Sequence, residues 1–263
     1  MSKKVFKIYA WMCIVVLLIS APSIAQNLEV DGKAKITDMP TDNAADQIVV
    51  RQADGTLAVR DVATLYAQST GNYGTVVNLV TGKVWLDRNL GASQVATSST
   101  DTASYGDLYQ WGRNADGHQI RTSGTTPTQA SNYFTEIGLF ITTGSSPFNW
   151  LSNVETHMWS GTAGENNPCP SGFRVPTAAE WEQERLTWSS NDAAGAFASP
   201  LKLPSAGYRN GTDGSLFTLG TLGHYWSSTA SDLAARLFLF DSSFVGMATG
   251  SRALGCSVRC IQD

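Results

Sequence analysis

Of the four cysteines in the 263-residue chain, Cys13 sits in an apolar run near the start, leaving Cys169, Cys256 and Cys260 as the residues best suited to chemistry. Cys256 and Cys260 stand four apart around Ser257-Val258-Arg259, with Arg252 close by. A cationic, partly exposed setting of that kind lowers a thiol pKa and makes a nucleophile. In an oxidising compartment the same three cysteines instead give one disulfide and one leftover thiol. A bridge from Cys169 to either partner closes a loop of about ninety residues, worth roughly 4 kcal/mol in the chain-entropy model. Other chemistry has thinner support. His118, His157 and His224 are far apart and none shares a helix-face spacing with a second ligand, so no metal site is expected. Asn114-Ala115-Asp116-Gly117 is too short for a calcium loop and reads as a polar turn. Glu180, Glu182 and Glu184 read as the solvated face of a helix, and Arg174, Arg209, Arg252 and Arg259 as ties between loops through bidentate hydrogen bonds.

The elements that must position these residues fall into three stretches. Lys3, Lys4 and Lys7 precede twelve uncharged apolar residues, Ile8 to Ile19, then Ser23-Ile24-Ala25. That order predicts a Sec signal over residues 1–25, cleaved before Gln26, because the run is too short to span a bilayer. No integral membrane segment is expected after cleavage, and the product is expected to be secreted, at the cell surface, extracellular or periplasmic. Loss of three lysines and no acids takes the net charge from −4 to −7, which excludes the basic patch of a nucleic-acid binder.

Residues 26–68 read as a small β-hairpin stem. Leu28-Glu29-Val30 and Ala34-Lys35-Ile36 flank Asp31-Gly32, and Ile48 to Arg51 and Thr56 to Val59 flank Asp54-Gly55. So small a piece buries too little apolar area to fold alone, and its faint resemblance to stem repeats ahead of fibre-tip domains implies a homotrimer through residues 26–66. Asp61 to Tyr66 reads as a short helix or a link. From residue 74 onward aromatics concentrate, with seven tryptophans between 85 and 226. Strands are expected at Val76 to Leu79 and Lys83 to Trp85, and a helix from Pro176 to Trp188 with Thr177 as N-cap and Glu180 completing a capping box. Trp150 and Trp159, in a long polar insertion, read as surface anchors. Strands at both ends around a helix make the fold class α+β.

Six blocks in sequence then carry a resemblance. They are Trp85-Leu86-Asp87-Arg88-Asn89-Leu90-Gly91; Tyr105 to Arg113; Pro168-Cys169-Pro170 through Thr177 with Glu180-Trp181; Ala206-Gly207-Tyr208-Arg209; Tyr225-Trp226-Ser227-Ser228-Thr229; and Ser257-Val258-Arg259-Cys260. Together, over residues 74–263, they resemble the Fibrobacter succinogenes major paralogous domain, a C-type-lectin-like fold common in secreted proteins of Bacteroidetes. The resemblance implies a ligand-binding domain without catalysis or cofactor, and a disulfide between Cys169 and Cys260. It does not imply calcium, since the Glu-Pro-Asn, Gln-Pro-Asp and Trp-Asn-Asp motifs of sugar-binding C-type lectins are missing. Formylglycine-generating enzymes share a related fold and a C-terminal cysteine pair, so Cys256 with Cys260, both free or paired with each other and binding copper, is the enzymatic alternative; a structural envelope or pilus subunit is another.

Residues 223–263 further resemble the variable region of proteins diversified by retroelements, an adhesin-like arrangement in which adenine-directed mutation alters ligand-facing positions within a fixed frame. Placed on this chain, the frame includes Trp226 to Thr229, Arg236, Phe240, Met247, Arg252 and Ser257 to Cys260. The ligand-facing positions are His224, Leu237, Leu239, Asp241, Phe244, Gly246, Ala248, Thr249, Gly250, Ser251, Leu254 and Cys256. None carries Lys, Glu, Gln, Met or Trp, the residues that mutated Asn codons cannot yield. Leu237, Leu239 and Asp241 alternate with Arg236, Phe238 and Phe240, so a strand with its aromatic face inward exposes the leucines to a ligand. The expected partner is a protein or glycan on another cell, a phage or a host surface.

Overall fold

A computed structural model describes residues 47–51 and 57–61 by their backbone, and residues 73–134 and 137–263 in full. The expected signal, the first hairpin and most of the link lie outside the described residues. The second hairpin is present: β1 (Gln47–Arg51) and β2 (Leu57–Asp61) pair antiparallel with Val49 opposite Val59.

From Tyr73 on, short strands dominate. In chain order they are β3 (Thr75–Val77), β4 (Val84–Leu86), β5 (Tyr109–Gln110), β6 (Thr125–Thr126), β7 (Phe140–Ile141) and β8 (Phe173–Arg174), followed by helices α1 (Ala178–Arg185) and α2 (Ala193–Ala198). The tail adds β9 (Tyr208–Arg209), β10 (Leu216–Phe217), β11 (Gly223–Ser231), β12 (Ala234–Phe240), β13 (Val245–Ser251), β14 (Gly255–Cys256) and β15 (Ile261–Gln262). The class is α+β, weighted to strands. Among the described residues no helix is long and apolar enough to cross a membrane.

Sheet order is β3-β4-β15-β8, β10-β9-β14-β5 and β11-β12-β13. The first of these brings the two ends of the domain together, with Ile261 opposite Trp85 on one side and Arg174 on the other. The Cys169–Cys260 disulfide fastens the same place, closing a loop of 91 residues, and Cys256 is left as a free, buried thiol. Helix α1 starts where the sequence predicts: Thr177 accepts from Glu180 N–H while the Glu180 carboxylate accepts from Thr177 N–H. Helix α2, whose N-cap Asp192 accepts from Gly195 N–H, was not anticipated, because Ala-Ala-Gly-Ala-Phe-Ala has no polar face to mark a period.

The β11-β12-β13 sheet divides the interior. Along β12, Ala235 and Leu237 join a core with Trp111, Trp150, Trp159, Trp226 and Val258, while Phe238 and Phe240 join another with Trp85, Trp181 and Tyr225. Trp181 stacks on Phe238 at 4.9 Å. Most of these indoles donate to backbone carbonyls: Trp226 to Tyr109, Trp111 to Ser227, Trp150 to Trp111 and Trp181 to Trp226, each within 3.1 Å. Paired indoles are tolerated in a core because the one polar atom is satisfied.

Several expectations are corrected here. Trp150 and Trp159 are each 1% exposed and belong to the core, not the surface. Glu184 is buried, accepting from Asn78 and Trp188, and burial raises its pKa. Glu180 forms a bidentate pair with Arg174 at 2.8 Å. The Asn114–Gly117 turn buries Asp116 between Arg113 and His118. The arginines do tie loops: Arg259 bonds Asn89 and the Leu201 carbonyl, Arg252 the carbonyls of Ala234, Glu155 and Asp232, and Arg209 those of Gly214, Ile120 and Ser123.

Candidate ligand-binding cleft

Pairing in the tail sheet fixes which side chains share a face. His224 lies opposite Leu239 and Trp226 opposite Leu237; on the next strand Leu239 meets Gly246, Leu237 meets Ala248 and Ala235 meets Gly250. One face therefore carries His224, Leu237, Leu239, Gly246 and Ala248, and the other carries Tyr225, Phe238, Phe240 and Met247. The aromatic face is covered by α1 and its neighbours, as the alternation predicts.

The leucine face is not uniformly open. At its Trp226 end it is packed against the tryptophan core, and Leu237 is only 3% exposed. Toward Leu239 the packing separates into a cleft of about 320 Å³ lined by Tyr208, Thr218, Leu222, His224, Leu237, Leu239, Ala248, Thr249, Gly250 and Leu254. The opposite wall comes from residues 208–222, brought alongside by a parallel bridge between Gly207 and Gly223. Tyr208 packs on His224 at 4.7 Å between ring centroids and stacks on Phe217 at 5.7 Å. Gly223 is required where the walls meet, because a side chain there would overlap the Phe240 ring. Thr218 turns the chain with φ +55° and, with its backbone, carries the Thr221 and Leu222 N–H bonds.

Seven of the twelve sequence-derived positions therefore gather in one cleft: His224, Leu237, Leu239, Ala248, Thr249, Gly250 and Leu254. Three more lie at the β12–β13 tip. There the Asp241 carboxylate accepts from the N–H groups of Ser243 and Phe244, at 2.7 and 2.9 Å, which holds its pKa below the usual range and makes it a turn-former. Phe244 is half exposed, with Gly246 beneath its ring. Ser251 is elsewhere, its hydroxyl donating to the Phe148 carbonyl.

Three positions do not match the expectation of free, ligand-facing side chains. Leu237 is the cleft floor rather than an exposed residue. Gly250 is crowded, since a Cβ there would meet the terminal methyl of Leu237 and require that side chain to move. Cys256 is wholly buried opposite Tyr109, and burial pushes its thiol pKa well up. With Cys260 held in the disulfide, the free Cys256/Cys260 pair of the enzymatic alternative does not exist. Tyr208, Thr218 and Leu222 were missed as cleft residues. Tyr208 was visible only as part of a family block, and nothing local marks the other two.

The electrostatics of the cleft are those of an uncharged site. None of its lining residues is Asp, Glu, Lys or Arg. Burial lowers the His224 pKa to about 4, so the imidazole is neutral near pH 7. Its Nδ1 and the Thr218 hydroxyl are buried polar atoms without a hydrogen-bond partner among the described residues. A larger hollow of about 580 Å³ opens beside the disulfide between Thr162, Asn167, Ser171 and Asp263, and contains none of the twelve positions.

No family model, no curated protein and no solved structure matches this chain significantly.

Proposed function

We propose that the chain is a secreted or surface-displayed, adhesin-like binding protein whose C-terminal cleft and adjoining hairpin tip form a ligand surface on a C-type-lectin-like frame. The observation that carries this reading is the convergence of seven positions, chosen from the tail sequence as ligand-facing, on one uncharged cleft. The resemblance to retroelement-diversified proteins supports the same surface being one that varies. The frame suits that role, because Trp226, paired with Leu237 of the cleft floor, and the buried Arg252 and Arg259 elsewhere in the domain bond to backbone carbonyls rather than to the surface positions. The residues available to a ligand are His224, Leu239, Ala248, Thr249 and Leu254 in the cleft, with Phe244 at the tip.

The test is binding of the full chain to arrays of purified surface proteins and of glycans. Ala248→Trp, which fills the cleft, and Phe244→Ala are compared with Leu186→Ala, an exposed change at the C-terminal end of α1. Binding abolished by Ala248→Trp, reduced by Phe244→Ala and untouched by Leu186→Ala is expected. Binding equally strong in all three would refute the assignment of this surface.

A further inference from the structure

Resting on the secretion contained in that reading, and not on the cleft, we propose that Asn210 is a glycosylation site whose amide nitrogen receives an oligosaccharide from a lipid-diphosphate carrier. Of the asparagines in the chain, Asn210 alone has Ser or Thr two residues on, in Asn210-Gly211-Thr212. Asn-X-Ser/Thr is the acceptor pattern for N-linked sugar on surface loops of exported proteins. So short a pattern recurs by chance, and the assignment therefore rests on geometry. The tripeptide makes the turn between β9 and β10, where Asn210 N–H donates to the Ser215 carbonyl and Gly214 N–H to the Asn210 carbonyl, both at 2.8 Å. Asn210 Oδ1 accepts from Thr212 N–H at 2.9 Å and from the Thr212 hydroxyl at 3.0 Å. Asn210 Nδ2 has no hydrogen-bond partner among the described residues and is not a buried atom; Thr212 and Asp213 beside it are exposed.

The turn itself does not need an amide. Asp213 accepts from Ser215 N–H and O–H, and Asp241 from Ser243 N–H and O–H, in the same arrangement. A carboxylate serves at those two turns, so what the amide adds at 210 is a free NH₂ group, the group that glycosylation consumes. Gly211 is the inward side of the turn, since a Cβ there would come within 2.8 Å of the Ala253 backbone. The two donors on Oδ1 favour loss of a proton from the nitrogen, because they stabilise the charge that the oxygen then carries. In the transfer, the nitrogen bonds to the anomeric carbon of the sugar as the bond from that carbon to the diphosphate oxygen breaks. The lipid diphosphate leaves with the electron pair, and the amide proton passes to a base of the membrane-bound transferase.

The experiment recovers the full chain by antibody from both the cells and the medium of its source culture and maps its peptides by fragmentation mass spectrometry. The peptide containing Asn210 is expected to carry saccharide mass on the Asn210 amide. Thr212→Ala, which removes the hydroxyl, and Asn210→Asp, which keeps the turn-forming oxygen, should each lose it. Asn191→Gln, at an exposed asparagine outside the pattern, should keep it. Asn210→Asp is expected to unfold at the urea midpoint of the unglycosylated Thr212→Ala chain or above, so its loss of sugar is not a loss of fold. A bare Asn210 in the parent chain overturns the proposal, as does saccharide on Asn210 that survives in Thr212→Ala. The first residue of the chain, read from the same spectra, keeps this failure apart from that of secretion. A bare Asn210 on a chain starting at Gln26 removes the site and leaves secretion standing, whereas a bare Asn210 on a chain that retains residues 1–25 overturns both.

Discussion

A methyl group at Gly250 would meet the terminal methyl of Leu237, the almost fully buried floor of the cleft, so that side chain has to shift. Gly250→Ala is therefore expected to cost about 1–3 kcal/mol, as overpacked sites do, seen as a lower urea midpoint with an unchanged slope. Histidine burial gives a second residue-scale expectation. Burial holds His224 and His118 at about 4, against an ordinary 6.5, with Asp116 opposing the shift at His118. Below 6.5 the unfolded chain takes up protons that the folded chain does not, so stability falls as pH drops from 6.5 to 4. The loss per histidine is at most about 1.4 kcal/mol for each pH unit crossed. Asp107, raised from 3.8 to about 6 by burial, and Glu184, also raised by burial, act in the opposite sense, and the two histidines, each lowered from 6.5 to about 4, outweigh them. Denaturation midpoints across this range should decline toward acid, and His224→Gln should make the decline shallower. The resemblance put His224, Leu239 and Ala248 among the ligand-facing positions, and alternation along β12 put Leu239 opposite the aromatic face. Alternation did not reveal that Leu237 is closed over, because the tryptophan core that covers it includes Trp111, more than a hundred residues away, nor that Leu237 crowds Gly250 across the sheet.

At the scale of elements, α1 depends on contacts at its first turn. Thr177 caps it, Glu180 closes the box, and Arg174 holds the Glu180 carboxylate from the neighbouring strand β8. Thr177→Ala should cost about 1 kcal/mol, the usual effect of losing such a cap. Although burial alone would raise it, the Arg174 and Thr177 hydrogen bonds hold the Glu180 pKa at about 2, so the stability it contributes is lost as pH falls from 4.5 through 2. Glu180→Gln should remove that acid limb of the stability profile while leaving the region above pH 5 parallel to the parent. The capping box and the hairpin at residues 47–61 were legible because both signals are local. The cleft wall was not: Thr218 and Leu222 form the turn that leads directly into β11, and Tyr208 is brought alongside by the bridge between Gly207 and Gly223, a contact with no spacing to betray it.

For the whole molecule, the Cys169–Cys260 bond joins the segment before β8 to the strand that closes the domain. Replacing both cysteines by alanine should cost roughly 4 kcal/mol, which for a domain of this size lowers the melting temperature by on the order of 10 °C. Iodoacetamide should leave Cys256 unmodified in the folded chain and label it after denaturation, because the thiol is buried with its pKa raised. The pairing itself came from the family resemblance, since spacing alone left Cys256 and Cys260 equivalent. The proposed function requires an accessible cleft that tolerates varied chemistry over a frame that stays the same. A display library randomised at His224, Leu239, Phe244, Ala248, Thr249 and Leu254 tests it most directly, against a control library randomised at the exposed α1 positions Ala179 and Gln183 and at neighbouring Leu186. After selection on unrelated purified proteins, the cleft library should give protease-resistant clones with distinct specificities and the control library should give none. Equal yields of binders from the two libraries, or loss of protease resistance throughout the cleft library, would contradict the account.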